Sequence, residues 1–73
     1  MTDEEYLIKL GRKIKKIRLS NNISQVELAN NCDFEKSNMN RIEAGRANTT
    51  IVTLRKIANA LDIKVVDLIN DLE

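Results

Sequence analysis

The sequence lacks the residue combinations that hydrolytic, redox and metal chemistry require. It contains no histidine, and its single cysteine, Cys32, can form no internal disulfide. The eleven Asp and Glu residues are scattered along the chain, so no nucleophile–base pair and no metal-ligand cluster can be assembled from them. We therefore expect no enzymatic activity, no metal and no cofactor.

The side chains best suited to recognition lie between positions 36 and 41. This segment reads Lys-Ser-Asn-Met-Asn-Arg and is polar apart from Met39. Arg and Lys match the two acceptors on the edge of guanine, Asn matches adenine, and Ser adapts to either. The spacing alone leaves two interpretations open, a surface that contacts bases or the ordinary polar face of a helix.

The net charge of +1 hides an uneven distribution of charge along the chain. Residues 1–8 carry −3, residues 9–56 carry eleven Lys and Arg against four acidic residues, and residues 57–73 carry −3. A cationic centre between acidic ends favours an anionic partner held against one surface. The alternative is that the cations from Lys9 to Arg18 form only the solvated face of a helix.

The elements that must position these side chains are helical, because apolar residues recur at helical spacing nearly throughout. We expect helices over residues 4–20, 25–32 and 35–44. Two further helices are expected from apolar stripes. The fourth helix has the stripe Ile51, Leu54, Ile57, Ala58 and Leu61, and the fifth has Val65, Leu68, Ile69 and Leu72. No segment resembles a strand, and no apolar run exceeds three residues. The prediction is an all-α, five-helix domain spanning residues 1–73, cytoplasmic and without a membrane segment.

Several single residues predict how these helices begin, end and approach each other. Ser24 and Glu27 have capping-box spacing at the start of the second helix. Gly45 stands where a helix C-terminus favours the left-handed conformation. Gly11 lies inside the first helix, where its cost relative to Ala suggests close packing against another helix. Lys64 is a poor N-cap for the fifth helix.

Residues 25–44 have the internal order of a helix-turn-helix. Two steeply crossing helices need a small residue at the crossing and apolar residues that fill the corner. The chain provides these in order, with Leu28 and Ala29, a turn at Asp33, and then Phe34, Met39 and Ile42. Any two amphipathic helices joined by a tight turn remain the alternative to a DNA-binding unit.

The wider chain resembles the phage-repressor and Cro-like helix-turn-helix family, also called the xenobiotic-response-element type. The matching positions run from Leu10 to Leu68 and include Leu10-Gly11, Ile14, Arg18, Ser24-Gln25, Leu28-Ala29, Arg41-Ile42-Glu43, Gly45, Leu54, Ile57-Ala58, Leu61 and Leu68. In size the chain is similar to the controller proteins of restriction–modification systems. The resemblance implies a compact lambda-repressor-like domain that binds duplex DNA, usually as a two-fold dimer. Two positions depart from the family pattern, since Asp33 and Thr49 stand where Gly and Pro are usual.

The resemblance also implies roles for individual residues. The third helix becomes the recognition helix, with Lys36, Ser37, Asn40 and Arg41 reading bases. The residues expected to contact the DNA backbone are Gln25, Asn38, Arg46 and Asn48. A plain surface loop is the alternative for Arg46 and Asn48, and Arg41 can alternatively hold only the backbone. Arg18 and Glu43 are implied to form a structural salt bridge.

The fifth helix has more apolar residues than one narrow stripe needs, so we expect Val66, Ile69 and Leu72 at a homodimer interface. The function predicted from these observations is sequence-specific binding of double-stranded DNA by a transcriptional regulator that recognises a palindromic operator. The alternative is a protein-interaction module, an antitoxin or adaptor, that uses the same fold. No small-molecule ligand is indicated.

Overall fold

The computed structural model describes residues 1–73 and contains five α-helices and no strand. The helices are α1 (Asp3–Ser20), α2 (Gln25–Asn31), α3 (Lys36–Glu43), α4 (Ile51–Ala60) and α5 (Val65–Ile69). This architecture confirms the predicted all-α fold, with each boundary of the first three helices within one residue of its expected position. None of the helices is long and apolar enough to cross a membrane.

Thr2 caps the N-terminus of α1, which was not predicted from the sequence. The Thr2 hydroxyl accepts a hydrogen bond of 3.2 Å from the Glu5 backbone N–H. Asp3, Glu4 and Glu5 form the acidic first turn of α1, where negative charge interacts favourably with the helix dipole. The acidic N-terminal segment therefore contributes to helix formation, in addition to its effect on the charge distribution.

Four of the five helices end in the same backbone arrangement, the Schellman motif. At the end of α2, the Phe34 N–H donates to the Ala29 carbonyl at 2.8 Å and the Asp33 N–H donates to the Asn30 carbonyl at 3.1 Å. The same pair of bonds closes α1, α3 and α4. Each motif requires one left-handed residue, and these are Asn22, Asp33, Gly45 and Asp62, with φ between 58° and 75°. The positive φ of Asp33, 61°, confirms that Asp takes the conformation for which the family usually has Gly.

At three of these four positions, the residue that follows the left-handed one returns the chain to the core. Ile23, Phe34 and Ile63 occupy this place after α1, α2 and α4, and all three pack against the buried core. A hydrophobic contact of this kind commonly accompanies the Schellman motif. The turns are therefore fixed by backbone hydrogen bonds and by side-chain burial together.

Two helix starts differ in detail from the sequence prediction. The Ser24 hydroxyl caps α2 by accepting from the Glu27 N–H at 3.0 Å, but Glu27 makes no return bond, so only half of the capping box forms. At α5, Lys64 provides no cap, as expected. The Asp67 carboxylate instead accepts from the Lys64 backbone N–H at 3.0 Å, which stabilises this short helix from within its first turn.

The core contains thirteen buried hydrophobic residues contributed by all five helices and the ends that follow them. Helices α1 and α3 approach closely at Gly11, because a Cβ there would lie 2.7 Å from the Ile42 carbonyl oxygen and closer still to that of Glu43. This confirms the expected close packing at Gly11. A Cβ on Gly45 would lie 2.6 Å from the Ile8 Cα, so the end of α3 also rests directly on α1.

The C-terminal apolar stripe does not continue as helix, which changes the position of Leu72. Helix α5 ends at Ile69, Asn70 is extended, and Asp71 has a φ of 63°. The Lys13 ammonium donates to the Asn70 carbonyl and side-chain oxygens, both at 3.2 Å, and holds this turn. Leu72 consequently folds back into the core and is only 4% exposed. The expectation that Leu72 lies at a dimer interface is therefore wrong, because its side chain is covered within the protomer.

Candidate nucleic-acid interface

Helices α2 and α3 and the turn between them form the helix-turn-helix that the sequence predicted. Leu28 and Ala29 on α2 and Met39 and Ile42 on α3 are buried where the helices meet. Phe34 is half-buried and fills the corner against the core. The apolar side of α3 is thus fixed, and the rest of the helix faces outward.

The residues expected to read bases share the outward side of α3. Lys36, Ser37, Asn40 and Arg41 are all exposed. Their i, i+1, i+4 and i+5 spacing places them on adjacent strips of one helix face, away from Met39. The structure therefore brings these four polar side chains together on one surface.

A buried ion pair anchors α3 to α1. Arg18 donates from Nε to Glu43 Oε2 at 2.8 Å and from Nη2 to Glu43 Oε1 at 3.0 Å, with side-chain exposures of 7% and 4%. The third guanidinium nitrogen, Nη1, donates to the Ile23 carbonyl at 2.9 Å. Arg18 thereby fixes both the C-terminal end of α3 and the loop that leads into α2. A two-bond contact of this kind restricts orientation as well as distance.

Gln25, the first residue of α2, is tied to the same ion pair. Its side-chain Nε2 donates to Glu43 Oε1 at 3.2 Å, and its Oε1 accepts from Asn40 Nδ2 at 3.4 Å. Gln25 is half-buried between the two helices. The family resemblance implied only a DNA-backbone contact for Gln25. This bridge between Glu43 and Asn40 was not predicted, because it depends on the angle at which α2 and α3 cross.

The other three residues expected to contact the DNA backbone lie on α3 or shortly after it. Asn38, Arg46 and Asn48 are exposed. Asn38 is part of α3, and Arg46 and Asn48 follow its C-terminal end. Arg41 Nη2 lies 3.5 Å from the Arg46 carbonyl oxygen, which the guanidinium can use as an acceptor in the absence of a ligand.

Lys56 on α4 lies close to two residues of the helix-turn-helix, Cys32 at the C-terminal end of α2 and Phe34 in the turn. The Cys32 thiol lies 3.6 Å from the Lys56 carbonyl oxygen, and the Lys56 ammonium lies 5.8 Å from the centre of the Phe34 ring. Burial raises the pKa of Cys32 above the usual value of a thiol, and the nearby Lys56 only partly opposes the shift. Cys32 therefore behaves as a small buried side chain, and the cation–π contact with Phe34 was not predicted from the sequence.

Four of the cations of α1 lie on a side of the helix other than the one that contacts α3. Gly11 marks the side of α1 that contacts α3, whereas Lys13, two residues later, reaches Asn70 beyond α5. Residues two apart on a helix do not face the same way. Lys9, Arg12, Lys13 and Lys16 instead line an open cavity of about 450 Å³ beside Asp71.

Exposed apolar side chains on α4 and α5 remain outside the core. On α5, Val66 is 55% exposed and Ile69 is 36% exposed. On α4, Ile51 and Val52 are 66% and 59% exposed. Ile51 belongs to the apolar stripe that predicts α4, but it is the first residue of that helix and its side chain stays outside the core.

Comparison with known proteins identifies the family. The helix-turn-helix family model matches residues 14–68. Control protein C.BamHI from Bacillus amyloliquefaciens is 38% identical over 61 residues, which cover 82% of this chain and 75% of that protein. The chain therefore belongs to the helix-turn-helix family, as the resemblance in the sequence implied.

Solved structures agree with this assignment. The restriction–modification controller protein C.AhdI from Aeromonas hydrophila superposes with a TM-score of 0.83 and 32% identity, covering 85% of this chain and 94% of that one. SinR, the master regulator for biofilm formation, solved in complex with DNA, gives a TM-score of 0.78 and 32% identity over 84% of this chain and 98% of that one. The relatives and structural neighbours include controller proteins and regulators of the same size and fold.

Proposed function

We propose that this helix-turn-helix protein is a transcriptional regulator that binds a palindromic operator in double-stranded DNA as a homodimer. The observation that carries the proposal is the outward face of α3, where Lys36, Ser37, Asn40 and Arg41 are exposed while the opposite face is locked into the core. A rigid helix with exposed donors and acceptors can enter the major groove and contact base edges.

The relatives support DNA as the partner. The SinR structure contains DNA. C.AhdI is a restriction–modification controller protein by name, and C.BamHI is a control protein by name. An adaptor that docked a protein through α3 would need apolar side chains on its exposed face. The outward positions of α3 carry polar and cationic side chains instead, which favours a nucleic-acid ligand over a protein one.

The proposed contacts fall into two groups with different consequences. Lys36, Ser37, Asn40 and Arg41 read bases, so each affects which sequence is preferred. Contacts to phosphate and sugar position the protein without selecting a sequence, and these are assigned to Gln25, Asn38, Arg46 and Asn48. All eight residues lie on α3, at the start of α2 or in the segment that follows α3.

Dimerisation is proposed through the apolar surface of α5, at Val66 and Ile69. Both side chains are exposed on the isolated protomer, and exposed apolar surface of this kind favours burial against a second copy. A two-fold dimer presents two recognition helices to half-sites about one helical turn apart.

Binding to duplex DNA at several salt concentrations tests the proposed ligand. Each neutralised phosphate contributes about −0.9 to the slope of log affinity against log salt concentration. We expect a steep negative slope for the protein, and a slope smaller in magnitude by about 1.8 for Arg46→Ala, which loses one phosphate contact in each protomer of the dimer. A slope near zero, or no duplex binding at any salt concentration, would favour the protein-interaction module.

A further inference from the structure

We propose that Gln25 is a positioning residue that determines specificity, because it orients Asn40 for recognition of an adenine. This inference rests on the proposed function and assigns Gln25 a role that phosphate binding does not include. It follows from a continuous series of hydrogen bonds that begins at a buried cation on α1 and ends at an exposed amide on α3.

The series begins with groups that have fixed hydrogen-bonding polarity. A guanidinium only donates and a carboxylate only accepts. The double contact between Arg18 and Glu43 is buried, and therefore holds the carboxylate in one orientation. Glu43 Oε1 keeps room for a second donor, which is the Gln25 side-chain amide at 3.2 Å.

This polarity fixes the direction of both amides that follow. Because Glu43 can only accept, Gln25 must turn its NH₂ group toward Glu43 and its carbonyl oxygen toward Asn40. Asn40 must then turn its NH₂ group toward Gln25, and the two atoms lie 3.4 Å apart. A reversed Gln25 amide would set its oxygen against the carboxylate and its NH₂ group against that of Asn40.

The remaining groups of Asn40 match those needed to read adenine. Asn40 uses one of its two N–H groups on Gln25, which leaves the other N–H and the side-chain oxygen free. Adenine presents an acceptor, N7, and a donor, N6, in the major groove, and an Asn amide meets both at once. Gln25 thus presents the Asn40 amide in one orientation and reduces the freedom it would lose on binding.

Phosphate contact and positioning by Gln25 lead to different mutational results. A residue that only contacts phosphate weakens binding to every sequence by the same factor. A residue that orients Asn40 changes the preference at one base pair, and its effect depends on whether Asn40 is present. The second N–H of Gln25 Nε2 is free for a phosphate, so a uniform loss of affinity can accompany the change in preference.

The experiment measures affinities for an operator selected from a random duplex library and for its single-base variants. The proteins are the unmodified chain, Asn40→Ala, Gln25→Ala and the double variant, with Gln25→Met as a form that keeps the half-buried volume but cannot form hydrogen bonds. Asn59→Ala is the control, since Asn59 is an exposed amide on α4 to which no DNA contact is assigned. Thermal unfolding of each variant confirms that it is folded.

We expect the unmodified chain to discriminate roughly 5- to 150-fold at one adenine, the range of a two-bond base contact. Asn40→Ala should remove that discrimination, and Gln25→Ala and Gln25→Met should each remove much of it at the same base pair. The double variant should then discriminate no less than Asn40→Ala alone. Asn59→Ala should leave the preference at that base pair unchanged.

Two results would overturn the inference while leaving the proposed function intact. The first is a Gln25 variant that lowers all affinities equally and preserves the ranking of sites. The second is an Asn40→Ala variant that alters no base preference. Failure of the unmodified chain to select any duplex sequence would instead reject the proposed function itself, so the two failures are distinguishable.

Discussion

At the scale of single residues, the carboxylate of Glu43 is the group that does most to fix the position of α3 and its exposed face. It accepts three hydrogen bonds, two from Arg18 on α1 and one from Gln25 on α2. Glu43 is itself the last residue of α3. Three helices are therefore positioned relative to each other by one side chain that the structure keeps away from water.

Removal of either partner of this ion pair should strongly destabilise the fold. Arg18→Ala or Glu43→Ala leaves the other charge buried and unpaired, which costs about 3–5 kcal/mol of unfolding free energy. Chemical denaturation of both single variants and the double variant measures the coupling, with the exposed Arg55→Ala as control. The double variant should lose less than the sum of the single losses, and simple additivity would contradict a direct interaction.

Arg41 and Arg46 should affect DNA binding in different ways. Arg41→Ala should cost about 1–3 kcal/mol per half-site on the preferred operator and relax the preference at one base pair of each half-site, because a contact with two base acceptors is lost. Arg46→Ala should weaken all duplexes by similar factors. Binding of both variants to the operator and its single-base variants separates the roles. Uniform weakening by Arg41→Ala would assign Arg41 to the backbone.

Contacts between residues distant in the chain were only partly predictable from the sequence. The family pattern indicated that Arg18 and Glu43 meet, and the structure places them in contact. The bridge from Glu43 through Gln25 to Asn40 gave no sequence signal, because it spans residues 15 and 18 positions apart in the chain. Such contacts depend on the angle at which two helices cross, which local spacing does not specify.

At the scale of the elements, the helix ends determine how the chain turns, and they place different residue types in one conformation. Gly45 takes a φ of 75° without steric cost, whereas Asn22, Asp33 and Asp62 take similar angles with side chains present. Asp33 is the most consequential of these, because it forms the turn between α2 and α3.

Asp33→Gly should stabilise the protein. Glycine avoids the steric cost of the left-handed conformation, about 1–2 kcal/mol, and loses part of that gain to its greater freedom when unfolded. The change also removes a negative charge next to the C-terminal end of α2. We expect a net gain of about 0.5–1 kcal/mol in chemical denaturation. Asp62→Gly is the matched control at the end of α4, and a loss of stability in both variants would contradict the conformational argument.

Gly11→Ala should destabilise the protein even though Ala favours helix formation. The added methyl group would overlap the Ile42 and Glu43 carbonyl oxygens, which are backbone atoms of α3 and cannot move independently. Overpacking of this kind costs about 1–3 kcal/mol, and the propensity gain of about 1 kcal/mol offsets only part of it. Thermal unfolding provides the measurement. An increase in Tm would show that α1 and α3 can separate without cost.

Element boundaries were predictable where local chemistry determines them, and less so where tertiary contacts intervene. Ser24, Gly45 and Asp33 act within a few residues of sequence, and their roles were correctly predicted. The end of α5 depends on Lys13, which is 57 positions away in sequence from the Asn70 it holds. Helical spacing alone consequently extended α5 to Leu72, which lies in the core instead.

At the scale of the whole molecule, Val66 and Ile69 on α5 are the exposed apolar residues that we propose a second copy covers. The recognition surface of one small domain covers few base pairs, so a palindromic operator requires a second copy in a fixed orientation. Dimer formation and operator recognition are therefore coupled in this account.

Val66→Asp should prevent dimerisation without unfolding the protomer. A charge placed in an apolar interface must be desolvated, while the same charge on the isolated protomer stays in water. Analytical ultracentrifugation should show a shift from dimer to monomer, accompanied by loss of cooperative operator binding. Leu19→Asp is the matched control, because Leu19 on α1 has the same 55% exposure as Val66. Equal dissociation by both variants, or by neither, would contradict an interface at α5.

Selection of bound sequences from a random duplex library by the unmodified protein tests sequence-specific recognition most directly. We expect an enriched palindrome whose half-sites are centred roughly 10–10.5 base pairs apart, one helical turn. The same sequences should be recovered at higher salt with lower yield, because phosphate contacts weaken while base contacts persist. Recovery of no enriched motif, with duplex retained in proportion to its abundance alone, would contradict sequence-specific recognition by α3.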